Sequence, residues 1–198
     1  MPRQEFRQID AIFLDAGGVM NDNEPWGQQF RRFLADYLAP RFGGERSAWE
    51  AANLEVIGRQ LPLYIDGTGF PEKGGYFPVW RRLQIEWLRD MCTIVGATPP
   101  NDRCEVLRGD LEDDGARRAP RAGCLSRSQR SDPGIACHGV SALHGLRLYL
   151  DGMGVRELFG RTYGPDLIDT HKASRHYYER ILADAGVTPA RALLWGTY

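Results

Sequence analysis

The sequence predicts an α/β protein in which a parallel sheet is interrupted by an inserted helical unit. Three observations lead to this prediction. A short apolar run, AIFLDA at residues 11–16, has the composition of a central strand covered on both faces. Residues 25–100 then show helical spacing with large aromatic side chains. Residues 174–195 return to a helix followed by an apolar strand.

The composition restricts the classes of partner. The chain has 198 residues, enough to bury a sizeable core as one domain or as one domain with an insert. Its 25 basic and 26 acidic residues leave a net charge of −1, so the overall charge indicates neither nucleic acid nor an anionic membrane. The N-terminus is charged, and no stretch approaches the roughly 20 apolar residues of a membrane span. We therefore expect a cytoplasmic protein that has neither nucleic acid nor a membrane as its partner.

The first predicted strand ends in an acidic residue, Asp15, which is followed by Gly17 and Gly18. In open α/β sheets, ligands bind outside the carboxyl ends of the strands. Glycines there let the backbone turn tightly and approach a ligand. Asp15 is therefore a candidate for chemistry, although a helix cap or a turn would also use an aspartate.

The inserted unit is predicted from two amphipathic helices with a Gly/Pro-rich loop, residues 66–78, between them. Hinges are expected at residues 21–26 and 96–102. Directly after the first strand, such an insert would lie over the strand end as a lid. The apolar positions recur at spacings of three and four: Trp26, Phe30, Phe33, Leu34, Tyr37 and Leu38 in the first helix, and Trp80, Leu83, Trp87, Met91 and Ile94 in the second.

The C-terminal part of the chain predicts a helix that begins after Ser174, as N-cap, and stops at Gly186. Its proposed apolar face consists of Tyr178, Ile181, Leu182 and Ala185, and the strand ARALLW follows. Lys172 would then lie in the loop before this helix. A solvated surface lysine is the ordinary alternative, so its placement decides its role.

These residues resemble the motifs of the haloacid dehalogenase-like (HAD) hydrolases. FLDAGGVMND is similar to their first motif, with Asp15, Gly18 and Asp22 at the matching positions, and the Lys172 segment with its helix and strand is similar to the third. The resemblance covers residues 9–114 and 146–196. It implies a Rossmann-like α/β HAD core, residues 1–22 and 101–198, with an α-helical cap, residues 23–100.

The resemblance also implies a chemistry. Asp15 would be the nucleophile that forms a covalent aspartyl intermediate, and Lys172 would neutralise charge beside it. Gly18 would belong to the substrate- or phosphate-binding turn. Asp15 and the backbone carbonyl of Gly17 would contribute to a Mg²⁺ site. The implied function is hydrolysis of a small phosphorylated or related metabolite.

The sequence departs from the family pattern in the first motif and in the terminal motif. Gly17 stands where the phosphatases carry a second aspartate as general acid/base, which leaves a dehalogenase- or phosphonatase-like chemistry open. Gly196 and Thr197 follow the last strand where a Gly-Asp or Asp-Asp pair would bind Mg²⁺. The terminal motif is therefore disrupted, and we expect impaired activity.

The middle of the chain departs further. Residues 115–140 hold few large aliphatics and several arginines, so we predict an irregular, poorly packed segment. The nearest strand candidate, GLRLYL at residues 145–150, ends without the serine or threonine of the second motif. We interpret the segment as a local replacement of sequence, such as a shifted reading frame or a deletion. The alternative to a hydrolase is therefore a non-catalytic HAD-like binding protein or a defective gene product.

Cysteines, histidines and arginines in this region suggest no further site. The spacing of Cys124, Cys137, His138 and His144 fits no paired zinc-ligand pattern. The arginines lack the interleaved aromatics of a nucleic-acid surface. Four scattered cysteines also make no disulfide framework and are expected to be free thiols: Cys92, Cys104, Cys124 and Cys137.

Overall fold

A four-stranded parallel sheet organises the structure, a computed structural model that describes residues 9–20, 23–100, 135–142 and 145–196. The spatial order of the strands is β3-β2-β1-β4, and each neighbouring pair is parallel. This architecture confirms the predicted α/β class. The strands are β1 (Ala11–Asp15), β2 (Ala136–Val140), β3 (Arg161–Tyr163) and β4 (Ala192–Trp195).

Six α-helices accompany the sheet in the described residues. They are α1 (Asn23–Phe42), α2 (Arg46–Asp66), α3 (Tyr76–Val95), α4 (Leu146–Met153), α5 (Pro165–Ile168) and α6 (Arg175–Ala185). Short 3₁₀ turns span Arg156–Leu158 and Pro189–Arg191. Helix α6 begins and ends as the sequence predicts, because Ser174 caps its N-terminus and Gly186 takes the left-handed conformation at its C-terminus.

Helices cover both faces of the sheet. Tyr177 and Ile181 of α6 pack with Phe13 and Val140 on one face. On the other face, α4 and the segment after it form a separate cluster. That cluster consists of Ala16, Met20, Leu146, Tyr149, Leu150, Met153, Val155 and Phe159. The sheet is therefore the middle layer, and its carboxyl edge is left for loops.

Helices α1, α2 and α3, which we call the helical insert, have a hydrophobic core of their own. The two helices predicted from the sequence correspond to α1 and α3, whereas α2 was not predicted. The loop between α2 and α3 consists of residues 67–75 instead of the predicted 66–78, because α3 already begins at Tyr76. The buried stripe of α2 also contains polar Asn53 and Gln60, which weakens its apolar periodicity. The core residues are Leu34, Ala35, Leu38, Trp49, Ala52, Val56, Trp87, Leu88, Met91 and Cys92.

The prediction for the middle of the chain is wrong where the structure describes it. Residues 136–140, expected to be irregular, form β2 between β1 and β3, and Val140 is fully buried. Residues 146–150, expected to be a strand, belong to α4. Small residues make this strand possible: a Cβ on Gly139 would lie only 3.4 Å from Leu150. The neighbouring helix supplies the bulk that the strand lacks. Residues 115–134 lie outside the described residues.

The expectations about cysteine are met in part. Cys92 and Cys137 are thiols that form no disulfide within the described residues, while Cys104 and Cys124 lie outside those residues. Across the described ranges, no three histidine, cysteine or acidic side chains come together as a metal site.

A helix that crosses a membrane must be both long and apolar. Within residues 9–20, 23–100, 135–142 and 145–196, no helix combines the length and the apolar character that crossing a bilayer requires.

Tyr177 joins α6 to the sheet through a buried hydroxyl group. The hydroxyl group donates to two backbone carbonyl oxygens, that of Tyr163 over 2.9 Å and that of Ser141 over 3.1 Å. Burial raises the pKa of Tyr177 well above its ordinary value, so the donor hydrogen is retained at neutral pH. Two loops at the carboxyl edge of the sheet are thus held by one side chain.

We expect Tyr177→Phe to lower the free energy of unfolding by about 1–3 kcal/mol, because two buried carbonyls lose a donor. Urea denaturation of the two proteins measures this difference. Tyr37→Phe makes the same chemical change on α1 of the insert and should have the smaller effect. Equal effects of the two substitutions would contradict the role given to Tyr177.

Candidate active site

Asp15 is the last residue of β1, at the centre of the sheet. Its strand pairs with β2 on one side and β4 on the other, and its Cα partner in β2 is Val140. The next residue, Ala16, donates its backbone N–H to the carbonyl oxygen of Val140 over 2.9 Å. Asp15 is only 6% exposed. A carboxylate held this firmly and this far from water needs a partner.

That partner is Lys172, whose ammonium group forms an ion pair with Oδ2 of Asp15. The lysine side chain is 13% exposed and that of Asp15 is 8% exposed. Lys172 lies just before α6, in the loop where the sequence predicted it. The structure therefore brings both predicted catalytic residues to one sheet edge, although they are 157 residues apart in the chain.

The turn after Asp15 uses its two glycines differently. Gly18 has a φ of 71°, which a residue with a side chain adopts only with strain. Gly17 has room for a side chain, since a Cβ there would lie 3.5 Å from the amide oxygen of Asn23. Asn23, at the start of α1, was not recognised from the sequence. Asp22, part of the motif resemblance, lies outside the described residues.

Ser141 is a site residue that the sequence analysis missed. It directly follows β2, so it lies at the same edge of the sheet as Asp15, one residue beyond the Asp15–Val140 pairing. It is 5% exposed, and its backbone N–H donates to the carbonyl of Tyr163 over 3.0 Å. A serine therefore does follow the strand next to β1, where the resemblance implies a serine or threonine. The signal was hidden because β2 contains glycine, histidine and cysteine rather than large aliphatics.

The chain returns to Asp15 at the end of β4. A Cβ built on Gly196 would lie 3.3 Å from Oδ2 and 3.4 Å from Cβ of Asp15, which is tighter than most real contacts. Only a residue without a side chain fits here without a shift. Thr197, the other position in which the sequence departs from the terminal motif, lies outside the described residues.

The residues at this edge fit Mg²⁺ only in part. Asp15 provides carboxylate oxygens, and the backbone carbonyl of Gly17 follows in the same turn. Hard cations such as Mg²⁺ take oxygen ligands, usually with octahedral geometry. In the part of the chain that the structure describes, no group of three metal-binding side chains forms around them.

His171 lies beside Lys172 and is 2% exposed. Its Nδ1 accepts the backbone N–H of Ala173 over 3.1 Å, and its ring stacks on Phe70 of the insert with 4.5 Å between centroids. Desolvation by burial lowers the pKa of His171, and a backbone hydrogen bond to Tyr64 opposes this shift only in part. The neutral imidazole is therefore the form that fits next to the site.

We expect acid to destabilise the protein through its buried histidines. Burial also lowers the pKa of His138, so both residues stay neutral in the folded chain while the unfolded chain takes up protons below a pH of about 6.5. The contribution of the two neutral histidines to the free energy of unfolding is thus complete above that pH and is lost as the pH falls. Each histidine adds up to about 1.4 kcal/mol per pH unit to the slope.

Urea denaturation between pH 5 and pH 7 (about the range in which an ordinary histidine titrates) measures that slope. His171→Phe keeps an aromatic ring against Phe70 but cannot titrate. The free energy of unfolding should therefore change less steeply with pH, by the contribution of one histidine. An unchanged slope in this variant would show that folding does not alter the proton affinity of His171.

Comparison with known proteins supports the fold. No protein-family profile matches the sequence, and no curated protein sequence matches it. Solved structures do. The L-2-haloacid dehalogenase of Xanthobacter autotrophicus is similar with a TM-score of 0.60 and 15% identity, covering 94% of this chain and 69% of that one. The 2-haloacid dehalogenase of Pseudomonas syringae pv. Tomato DC3000 gives 0.62 and 13%, covering 96% and 79%.

A third similar structure contains a bound sugar bisphosphate. CbbY of Rhodobacter sphaeroides, as the D10N mutant in complex with xylulose-(1,5)bisphosphate, gives a TM-score of 0.54 at 15% identity, covering 94% of this chain and 77% of that one. Because these identities are low, the likeness concerns the backbone architecture. The parallel sheet with helices on both of its faces is thus the fold that this chain shares with the solved 2-haloacid dehalogenases.

Proposed function

We propose that this protein is a hydrolase that forms a covalent intermediate on Asp15, with a small phosphorylated or related metabolite as substrate. The observation that supports this most directly is the ion pair between Asp15 and Lys172 at the carboxyl edge of the central strand. A nucleophile and a fixed positive charge in one poorly solvated place are what displacement by a carboxylate needs.

The reaction would proceed in two steps. Lys172 holds Oδ2 of Asp15, so the other carboxylate oxygen attacks the electrophilic centre of the substrate. A bond from Asp15 to that centre forms while the bond to the leaving group breaks, and the leaving group departs with the bonding electrons. Water then cleaves the ester or acyl phosphate and returns Asp15 as a carboxylate. Lys172 lowers the repulsion between Asp15 and an anionic substrate in both steps.

Other residues at this edge would bind the substrate. The hydroxyl group of Ser141 is suited to donate to the transferred group, because it is buried at the end of the adjacent strand. Gly18 would let the backbone of the turn approach the same group. The helical insert would act as a cap over the core, and its loop, residues 67–75, would take part in substrate selection.

Mg²⁺ would supply positive charge for a phosphoryl transfer, with Asp15 and the Gly17 carbonyl as two of its oxygen ligands. Among the described residues, no group of three histidine, cysteine or acidic side chains completes its coordination shell. Both steps described above use only side chains of the protein and water, and the assay below measures whether turnover depends on Mg²⁺.

A dehalogenase-like reaction at carbon is the second candidate. It is favoured by Gly17, which provides no proton-transfer group two residues after the nucleophile. Displacement at carbon also requires no general acid when the leaving group is a stable anion such as a halide. The Xanthobacter autotrophicus dehalogenase is known with chloropropionic acid covalently bound, so that protein forms an adduct with such a substrate.

We expect low but measurable turnover that Asp15→Asn abolishes, because an amide is a poor nucleophile. The assay compares an aryl phosphate, a panel of sugar phosphates and a 2-haloacid, each with and without Mg²⁺. Asp10→Asn is the matched control, since Asp10 lies at the opposite end of β1 in an exposed ion pair with Arg191. Turnover that persists in Asp15→Asn would exclude the aspartyl intermediate. Binding without turnover would favour the non-catalytic alternative.

The space beside Gly17 permits a gain-of-function test that separates the two chemistries. Gly17→Asp places a carboxyl group two residues after the nucleophile, and its Cβ meets only ordinary contacts with Asn23. General acid/base help is typically worth about 10²–10⁴-fold. If the reaction is phosphoryl transfer, aryl phosphate turnover should rise by at least about tenfold, which is below that range because the added carboxyl group is not ideally placed.

The control for this variant is Gly17→Asn, which has nearly the same shape but cannot transfer a proton. An equal gain in both variants would show that the shape of the turn had changed and not its chemistry. No gain in Gly17→Asp, together with 2-haloacid turnover that requires Asp15, would assign the protein to the carbon-centred reaction.

A further inference from the structure

We propose that Asp169 is the positioning residue for Lys172: it fastens the loop that carries the lysine to the helical insert. The inference deepens the proposed function, because it concerns how the ion pair of the candidate site is kept in place. It rests on contacts between the insert loop, residues 67–75, and residues 169–174, which we call the lysine loop.

The carboxylate of Asp169 bridges the two parts of the molecule. Its Oδ2 accepts the backbone N–H of Gly75 and its Oδ1 accepts that of Tyr76, each over 2.9 Å. These donors belong to the N-terminus of α3, where N–H groups lack partners within the helix and a negative charge is favoured. Asp169 therefore caps a helix that lies more than 90 positions away in the chain.

The backbone of Asp169 is shaped for this contact. Its φ of 47° makes it the only residue other than glycine with a positive φ in the described ranges. Such a conformation is unfavourable for most residues, and aspartate and asparagine tolerate it best. The left-handed turn ends α5 at Asp169 and begins the lysine loop.

Two further contacts fasten the lysine loop to the insert on either side of Lys172. His171 stacks on Phe70 at 4.5 Å and lies so close to Gly67 that a Cβ there would be 2.8 Å from Nδ1. The hydroxyl of Ser174 donates to the backbone carbonyl of Glu72. Residues 169, 171 and 174 thus contact the insert, whereas Lys172 between them reaches Asp15.

This arrangement makes the ion pair dependent on the seating of the insert. The strand that carries Asp15 is fixed by β2 and β4, but the lysine loop has no sheet neighbour of its own and is held from the insert side. Movement of the insert loop away from the core would release Asp169 and withdraw Lys172 from Asp15. The insert would thereby control the nucleophile as well as access to it.

The test uses the reactivity of the lysine amine and requires no turnover, so its outcome is separate from that of the proposed function. The sequence contains two lysines, Lys73 and Lys172. Lys73 is exposed and serves as the internal standard, while Lys172 is mostly shielded. Brief acetylation with acetic anhydride, followed by peptide mass spectrometry, gives the ratio of the two modification rates in the full chain.

The variants separate the carboxylate from the backbone shape. Asp169→Gly allows the left-handed conformation but removes both acceptors, and Asp169→Asn keeps the conformation and one acceptor. Relative to Lys73, modification of Lys172 should increase by about tenfold in Asp169→Gly, since losing a charge-assisted hydrogen bond corresponds to at least that factor. The increase in Asp169→Asn should be smaller. Phe70→Ala, on the insert side, should also increase it.

Asp166→Asn is the matched control, because Asp166 lies in α5, just before the lysine loop, and accepts the backbone N–H of Gly145 before α4 instead of one from the insert. Circular dichroism checks that each variant is folded. An unchanged Lys172 rate in Asp169→Gly and Phe70→Ala would overturn the proposal, as would an equal increase in Asp166→Asn. If Asp169→Gly does not fold, the test uses Phe70→Ala and Asp169→Asn instead. An unchanged modification rate of Lys172 in both variants would then overturn the proposal.

Discussion

The rest of the structure depends on the ion pair between Asp15 and Lys172. Taking two charges out of water is unfavourable, and only close pairing makes their burial acceptable. Removing either partner would leave an uncompensated charge at the centre of the sheet edge. The first strand and the loop before the last helix must therefore be brought together accurately. This requirement explains why so many tertiary contacts converge on the short segment around Lys172.

The same pair connects stability with function. A carboxylate neutralised by a lysine is stable as a buried group, yet it remains available to a substrate that competes for the ammonium ion. An anionic substrate would enter a place where one positive charge is already fixed. The site is preorganised in this sense, because the charge is positioned before the substrate binds.

The parts of the fold that sequence predicted are those where local signals agree with tertiary context. β1 is a continuous apolar run, and α6 has both of its caps. The errors lie between them. Leu146, Leu148 and Leu150 alternate as in a strand, but Leu146, Leu150 and Met153 also share one helix face, so a short window fits both periods. Met153 and the following glycine decide for the helix.

Strand β2 shows the complementary difficulty. Its residues are small or polar, and its burial comes from large side chains of α4 that pack against Gly139. No pattern within the strand reveals this, because the apolar bulk lies elsewhere in the sequence. Ser141 was missed for the same reason, since a serine at a strand end is recognised only when the strand is. Asp169 was missed because its partners are distant in sequence, and a backbone N–H has no residue-specific signal.

The position of β1 between two parallel neighbours has a consequence for motion. A strand with a hydrogen-bonded ladder on both sides opens only in rare, large-scale fluctuations, whereas a loop without a ladder can open locally at lower free energy. The two charges of the site therefore belong to parts of the molecule that open at different frequencies. The strand that carries the carboxylate opens rarely, and the loop that carries the ammonium ion opens more often. Fluctuations of the site are then mainly departures and returns of a cation from a stationary anion.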